Sequence, residues 1–134
     1  MSVRYMLDSD ACIYLMKDRS SGLAKRVDRV AQKCALSVIV YGELCLGLER
    51  SVRRKEVVRY LEALTDSLRV LPVPIETAAS YATVRAHLER TGRVIGSNDL
   101  WIAAHALVEG ATLVTNNERE FRRVPGLRVE NWTR

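Results

Sequence analysis

A chain of 134 residues, 48% of them hydrophobic and 28% charged, is long enough to bury one core without disulfides or a structural metal. Lys and Arg outnumber Asp and Glu by 21 to 16, an excess that favours a polyanionic partner without requiring one. No apolar stretch reaches membrane-spanning length, and acids stand where a signal peptide would be apolar. We therefore expect a single cytoplasmic domain with no membrane contact.

The predicted elements alternate between strands and helices along the chain. Short apolar runs predict strands over residues 3–7, 34–37, 68–71, 112–115 and 127–130. Apolar residues at helical spacing predict helices over residues 10–16, 23–32, 38–48, 54–65, 75–90, 97–109 and 118–123. Gly92 suits a left-handed helix end. This alternation predicts an α/β fold with a central, mostly parallel β-sheet and helices on both faces.

The three cysteines, Cys12, Cys34 and Cys45, are an odd number without the spacing of a metal site. Each lies among apolar residues, which is typical of buried thiols in a reducing compartment. Zinc is also disfavoured, because His87 and His105 are isolated and no cysteine cluster accompanies them.

Two acids stand where a strand ends or a helix begins. Asp8 follows the first strand, and Asp99 opens the helix over residues 97–109. In a parallel sheet the carboxyl ends of the strands share one edge, so these acids can meet there.

The alternative for both acids is a structural role at the start of a helix that another residue caps. Ser9 or Asp10 can cap the first helix, and Ser97 or Asn98 can cap the helix that Asp99 opens. Acids also favour the first helical turn, where they meet the helix dipole. Taken alone, Asp99 is explained by helix structure.

Glu43 lies on a mainly apolar helical face, with Ile39, Val40 and Leu46 about one turn away. An acid there is costly to bury, unless it lies at a partly exposed helix edge or pairs with an arginine. From the start of its helix, Glu43 can reach the edge where the other acids lie. Carboxylates that meet there repel unless a cation lies between them, and hard oxygen ligands favour Mg²⁺ or Mn²⁺.

A carboxylate-held metal site on a basic protein predicts phosphodiester hydrolysis. Such a site orients phosphate, stabilises developing negative charge and helps to deprotonate a water. No Ser-His-Asp or Cys-His pattern and no glycine-rich phosphate loop competes with it. The hydroxyls of Ser9 and Thr115 can support the acids. Basic runs over residues 50–59 and 119–123 are either solvated helix faces or contacts for RNA phosphates.

Four blocks of sequence carry a family resemblance that covers nearly the whole chain. They are YMLDSD at 5–10, the stretch 37–43 that ends in Glu43, IGSNDLWIAAHA at 95–106, and LVTNNEREF at 113–121 followed by VPGL at 124–127. In this order and spacing they resemble the PIN-domain ribonucleases and, within them, the VapC-type toxins of type II toxin–antitoxin pairs. The resemblance implies a single PIN domain over residues 1–134.

The resemblance implies a Mg²⁺- or Mn²⁺-dependent endoribonuclease in which Asp8, Glu43 and Asp99 are the catalytic and metal-binding residues. Many relatives have a further acid where this chain has Asn117, and we predict that Glu120 takes its place. The competing role for this pair is a capping box, with Asn117 as the cap and Glu120 three residues later.

The opening motif departs from the family pattern at its third position. Asp-Thr-Asn is usual, whereas this chain has Asp8-Ser9-Asp10. Ser9 keeps the hydroxyl. Asp10 replaces a neutral amide with a charge, so it adds a ligand, changes the metal affinity or caps the helix.

The resemblance also implies partners. A cognate VapB-type antitoxin would cover the toxin and block its site. Toxins of this type commonly form homodimers that join antitoxins in hetero-oligomers, which bind DNA through the antitoxin. The substrate would be RNA, with tRNA among the structured RNAs that the family suggests and inhibition of translation as the result.

In the hairpin over residues 38–65, Leu44, Leu48 and Leu61 can serve the antitoxin, a second subunit or the core.

Two other functions stay open on the residues alone. A phospho-accepting receiver domain also groups acids and Mg²⁺ at strand ends, but it needs an Asp after a central strand and a Lys after a late one. Here Ser37 follows one middle strand, and no Lys occurs after Lys55. A non-catalytic RNA- or protein-binding module stays open because Asn117 replaces an acid.

Overall fold

The computed structural model describes residues 2–133. Its five strands are β1 (Tyr5–Leu7), β2 (Cys34–Ser37), β3 (Arg69–Leu71), β4 (Thr112–Val114) and β5 (Val129–Glu130). Its seven α-helices are α1 (Ser9–Lys17), α2 (Gly22–Val30), α3 (Val38–Arg50), α4 (Arg54–Ser67), α5 (Thr77–Arg90), α6 (Ser97–Glu109) and α7 (Glu118–Phe121). A 3₁₀ turn, Ala31–Lys33, follows α2.

The strands form one sheet in the order β3-β2-β1-β4-β5. Every pairing in this sheet is parallel. The chain moves outward from β1 to β2 and β3, and then crosses back to β4 on the other side of β1. Because parallel crossovers are right-handed, connections that run in opposite directions place their helices on opposite faces. The predicted α/β fold with a parallel sheet is therefore confirmed.

The central strand β1 lies between β2 and β4. Its consecutive residues Met6 and Leu7 point to opposite faces of the sheet and are both buried, so both faces are covered there. Met6, Leu7, Leu36 and Leu113 are among the largest fully buried side chains. The chain adds β2 and β3 on one side of β1, and β4 and β5 on the other, so the direction in which strands are added changes at β1. In open parallel sheets, ligands bind at the carboxyl ends of the strands beside such a change. Asp8 is the residue that follows β1 at this point.

Predicted and observed element boundaries differ by two residues at most. Two elements, β2 and α6, begin and end as predicted. Helix α5 begins two residues later than predicted, because a turn in which Thr77 N donates to the carbonyl oxygen of Pro74 at 3.0 Å precedes it. Residues at either end of an element satisfy the same periodicity as the element itself, which is why boundaries are the least certain part of a sequence prediction.

Helix ends differ in how well the sequence predicts them. The prediction that Ser97 or Asn98 caps α6 is wrong, because Gly96 precedes the helix and no side chain caps it. The side chain of Asn98 contacts an acid of α3 instead. Gly92, just after α5, has φ +66°, so its predicted left-handed conformation is confirmed.

Two leucines that the sequence left undecided belong to the core. Leu44 and Leu61 of the α3–α4 hairpin are buried. Trp132 is also buried, and its ring packs edge-on against Tyr5 with 4.9 Å between centroids. Cys45, in contrast, is only half-buried, so the prediction of three buried thiols is wrong for this one.

The described helices include none that is both long and apolar enough to cross a membrane.

We expect Leu113→Ala to lower the free energy of unfolding by about 2–5 kcal/mol, because it leaves a cavity beside the central strand. The matched control is Leu46→Ala, which removes the same atoms from a side chain that is 47% exposed. Its effect should stay within about 0.5 kcal/mol. Urea unfolding followed by circular dichroism measures both values, and equal losses would contradict the burial of β4.

Candidate active site

Asp8 joins β1 to α1 and is held at both carboxylate oxygens. Its Oδ1 accepts a hydrogen bond from the backbone N–H of Ala11 at 2.9 Å, so Asp8 itself caps α1 and the prediction of Ser9 or Asp10 as the cap is wrong. Its Oδ2 accepts a hydrogen bond from Thr115 Oγ1, just beyond the end of β4. Burial raises the pKa of Asp8 to about 6, although these two hydrogen bonds oppose that shift.

Asp99 lies in the first turn of α6, among the other acids that the sequence singles out. Burial raises the pKa of Asp99 to about 6, and the negative charges of Glu43, Glu120 and Asp10 add to this effect. The charge of Asp99 in turn helps to raise the pKa of Asp8. Because like charges oppose one another's ionisation only when they are close, these shifts show that the fold gathers the acids at one edge of the sheet.

Glu43 projects from α3 and is half-buried. Its Oε1 accepts a hydrogen bond from Ser9 Oγ, and its Oε2 accepts one from Asn98 Nδ2 at 3.4 Å. No arginine pairs with it among the salt bridges of residues 2–133, so that alternative is wrong. The contacts tie α3 to the starts of both α1 and α6.

Glu120 and Asn117 contact each other through their side chains at the start of α7. Asn117 Nδ2 donates to Glu120 Oε2 at 3.1 Å. The backbone N–H of Asn117 donates to Thr115 Oγ1 at 2.8 Å, and the side chain of Asn117 does not cap the helix. The capping box proposed as the alternative for this pair is therefore not formed. A metal-binding role for Glu120 stays a prediction.

Asp10 is exposed in the first turn of α1 and adds a fifth negative charge to the site. Its charge contributes to the raised pKa of both Asp8 and Asp99. With Lys17 and Asn116, it lines an open cleft of about 430 Å³. Because it does not cap α1, the predicted capping role of Asp10 is excluded.

All the hydrogen bonds described for these carboxylates come from neutral donors, namely hydroxyls, side-chain amides and one backbone N–H. In the part of the chain that the structure describes, no Lys, Arg or His forms a salt bridge with them. Their negative charge and hard oxygen atoms fit a cation such as Mg²⁺ or Mn²⁺.

The geometry limits how such a cation would be held. Over residues 2–133, no three His, Cys, Asp or Glu side chains are arranged to hold a metal ion directly. Mg²⁺ usually binds proteins through one or two carboxylates and keeps several of its waters. The acids present fit an ion of this kind, in which waters complete the coordination.

An apolar groove of about 450 Å³ begins at Glu43 and runs between α1, α3 and α4. Its apolar lining comprises Ile13 and Met16 of α1, Leu44 and Gly47 of α3, and Val57 and Tyr60 of α4. Arg53 and Glu56 also line it. The groove is therefore an open apolar surface that is continuous with the acidic site.

The sequence identifies the acids more completely than the groups that hold them. Ser9 and Thr115 were predicted to support the acids, and each donates to a carboxylate in the structure. Asn98 was considered only as a helix cap, whereas it donates to Glu43 from 55 positions away. No local signal reveals a contact between residues so far apart in the chain.

Known proteins resemble this chain over almost its whole length. The family model of the PIN domain matches residues 5–127. Ribonuclease VapC2 of Haemophilus influenzae is 39% identical over 130 residues, which cover 97% of this chain and 98% of that protein. The tRNA(fMet)-specific endonuclease VapC of Salmonella typhimurium is 34% identical over 130 residues, with coverage of 97% and 98%.

Solved structures resemble it equally closely. The crystal structure of DNA-bound VapBC from Salmonella typhimurium contains a chain with a TM-score of 0.92 and 34% identity, over 97% of this chain and 98% of that one. VapBC2 from Rickettsia felis, bound to a promoter DNA fragment, gives a TM-score of 0.91 and 34% identity, with coverage of 97% and 99%.

With its parallel sheet and acidic edge, the chain belongs to the PIN-domain family. Within that family it is a VapC-type ribonuclease. The sequence resemblance and the fold that it implied are thereby confirmed.

We expect Asp99→Asn to raise the melting temperature of the metal-free protein at pH 7.5. The folded protein binds a proton at Asp99 more tightly than the unfolded chain does, so the ionised carboxylate destabilises the fold as the pH rises from about 4 through about 6. The gain should therefore shrink as the pH falls toward 4. Thermal unfolding in EDTA measures this change in melting temperature, and Asp66→Asn, at an exposed position, is the control. A lower melting temperature at pH 7.5 would argue against charge repulsion at Asp99.

Proposed function

We propose that this chain is a Mg²⁺- or Mn²⁺-dependent endoribonuclease in which Asp8, Glu43 and Asp99 hold the metal, directly or through its waters, and Glu120 is the fourth acid. The observation that carries the proposal is the cluster of like charges around Asp99, held only by neutral donors in the described residues. Such a cluster costs folding free energy, and a bound divalent cation offsets the repulsion. The ribonuclease names of its relatives support RNA as the substrate.

When bound, the metal supplies Lewis acidity, which stabilises negative charge on the phosphate and helps a water to lose its proton. The chain's own residues orient the carboxylates before RNA arrives. Thr115 Oγ1 fixes one oxygen of Asp8, and Ser9 and Asn98 fix the two oxygens of Glu43. In the proposed hydrolysis a water oxygen bonds to phosphorus while the bond to the 3′ oxygen breaks. The products are a 5′-phosphate and a 3′-hydroxyl.

For the substrate class we propose tRNA, whose cleavage would inhibit translation. The support is the Salmonella typhimurium relative, which is named a tRNA(fMet)-specific endonuclease and is 34% identical to this chain. The excess of Lys and Arg over Asp and Glu, 21 against 16, also suits a polyanionic substrate.

The purified protein should cleave tRNA when Mg²⁺ or Mn²⁺ is present, and EDTA should abolish this cleavage. Asp99→Asn should lower the rate by more than about 100-fold, because loss of a residue that only supports a ligand already costs 10–100-fold. At a metal concentration too low to saturate the site, the rate should also rise with pH through about 6, because protons compete with the cation for the carboxylates of Asp8 and Asp99, whose pKa values are raised to about 6 in the metal-free protein.

Gel assays of end-labelled tRNA and of an unstructured RNA measure these rates, and Asp66→Asn is the charge-matched control at an exposed position. Undiminished cleavage by Asp99→Asn, or cleavage that persists in EDTA, would contradict the metal-dependent mechanism. Faster cleavage of the unstructured RNA would contradict only the choice of tRNA.

We further propose that a VapB-type antitoxin is the partner and that a segment of it lies in the apolar groove beside Glu43. The solved relatives in VapBC complexes support this partner. A segment seated there would reach the acidic site and block it, because the groove begins at one of its acids. The toxin would act as a homodimer, and the antitoxin would carry the hetero-oligomer to DNA.

Gly47→Trp should block the groove and weaken antitoxin binding by at least about 30-fold, because loss of a hot-spot anchor in an interface costs about 2 kcal/mol or more. A Cβ at Gly47 meets no atom within 4 Å, so the larger side chain fills the groove rather than the core. The matched control is Gly47→Ala, which removes the glycine but leaves the groove open.

Calorimetry with the antitoxin encoded beside the toxin gives the affinities, and light scattering after size-exclusion chromatography gives the mass of each assembly. Equal antitoxin affinities for Gly47→Trp and Gly47→Ala would place the antitoxin elsewhere. If the free toxin has the molar mass of a single chain, the proposed homodimer is contradicted.

A further inference from the structure

Ser37, His105 and Glu109 form a buried chain of hydrogen bonds outside the acidic site. Ser37 Oγ and His105 Nδ1 are 2.8 Å apart, although 68 positions separate the two residues. His105 Nε2 is 3.1 Å from Glu109 Oε2. The sequence pattern gave no sign of this Ser-His-acid arrangement, because Ser37 ends β2 whereas His105 and Glu109 lie on α6.

The direction of each hydrogen bond follows from the acceptors. A carboxylate only accepts, so His105 Nε2 carries a proton and donates to Glu109. Burial lowers the pKa of His105, although the Glu109 carboxylate opposes that shift, so the ring is neutral and Nδ1 accepts from the hydroxyl of Ser37. Ser37 Oγ itself accepts from the backbone N–H of Ile39 at 3.1 Å.

Burial excludes a nucleophilic role for this arrangement, despite its likeness to a hydrolase triad. Ser37 and His105 have 0% exposure, so no substrate reaches the hydroxyl. The hydroxyl is also committed as the cap of α3. A different role follows from the elements that the hydrogen bonds connect.

The Ser37–His105 hydrogen bond joins the start of α3 to the middle of α6. Ser37 lies six residues before Glu43, and His105 lies six residues after Asp99. Among the side-chain hydrogen bonds described for residues 2–133, the Asn98–Glu43 contact is the other that spans these two helices, and it lies at the exposed surface. The buried bond is therefore the one that solvent does not compete with.

We propose that His105 is a positioning residue that holds Ser37, and with it the start of α3, against α6 and so sets the relative placement of Glu43 and Asp99. This inference rests on the proposed function of these acids as a metal site. His105 touches neither the substrate nor the reacting atoms. Its contribution is to keep two helices, each with one acid, from shifting past each other.

Two substitutions at His105 separate its two hydrogen bonds. The amide oxygen of His105→Asn lies near the position of Nδ1 and can accept from Ser37, whereas the amide of His105→Gln reaches toward Glu109 and leaves Ser37 without its acceptor. We expect His105→Gln and Ser37→Ala each to lower kcat for RNA cleavage by about 10-fold, with KM unchanged. His105→Asn should retain kcat to within about 2-fold.

The double variant Ser37→Ala with His105→Gln should lose no more kcat than the more impaired single variant, because both remove the same bond. Leu113→Ala is the control for stability, since it weakens the core without touching this bond. Its kcat should match the wild type well below its melting temperature. Losses that are additive, that are equal in His105→Asn and His105→Gln, or that also appear in Leu113→Ala would overturn the positioning role.

Titration with Mn²⁺ in the absence of RNA supplies a readout besides cleavage. We expect about 10-fold weaker Mn²⁺ binding in His105→Gln and wild-type binding in His105→Asn. If the wild type cleaves no RNA, the proposed function fails, and the Mn²⁺ titration then decides the positioning role alone. Unchanged Mn²⁺ binding in His105→Gln would overturn it.

Discussion

Five carboxylates at the open end of the sheet repel one another, and in the described part of the chain hydroxyl and amide donors hold three of them, Asp8, Glu43 and Glu120. Burial and mutual repulsion raise the pKa of both Asp8 and Asp99 to about 6, so at neutral pH the fold keeps these groups ionised at a cost in stability. A domain is stable by only about 5–15 kcal/mol, so the rest of the structure must offset that cost. It does so through a core in which the central strand is covered on both faces.

The parallel topology explains why the acids meet although they are far apart in the chain. Every strand runs in the same direction, so the helices that follow β1, β2 and β4 all begin at the same edge. Asp8 and Glu120 lie at or near the starts of α1 and α7, Asp99 lies in the first turn of α6, and Glu43 lies in the second turn of α3. Helix N-termini carry partial positive charge, which relieves part of the repulsion until a cation binds.

Local pattern was sufficient for the fold and pointed to Asp8, Glu43 and Asp99 as candidate acids, whereas Glu120 became a candidate only through the family resemblance. Strand and helix periodicities gave every element, and strand-to-helix junctions singled out Asp8. It was insufficient for contacts between distant residues, such as Asn98 with Glu43 or His105 with Ser37, because no periodicity encodes which helices become neighbours. The exposure of Cys45 was missed for the same reason, since an apolar neighbourhood in sequence does not say which side of a helix faces the core.

Asp10 and Asn117 change where the negative charge of the site lies. Relative to the family pattern that the sequence resembles, the chain has an extra acid at position 10 and an amide in place of an acid at position 117. Asp10 contributes to the raised pKa of Asp99, as does Glu120, whose side chain Asn117 holds through a hydrogen bond of 3.1 Å. An amide cannot bind a cation by charge, but it can fix a neighbouring carboxylate without competing for the ion. If Glu120 takes the place of the acid at 117, as predicted, Asp10 is an additional charge at the start of α1, beside acids that surround Asp99 as before.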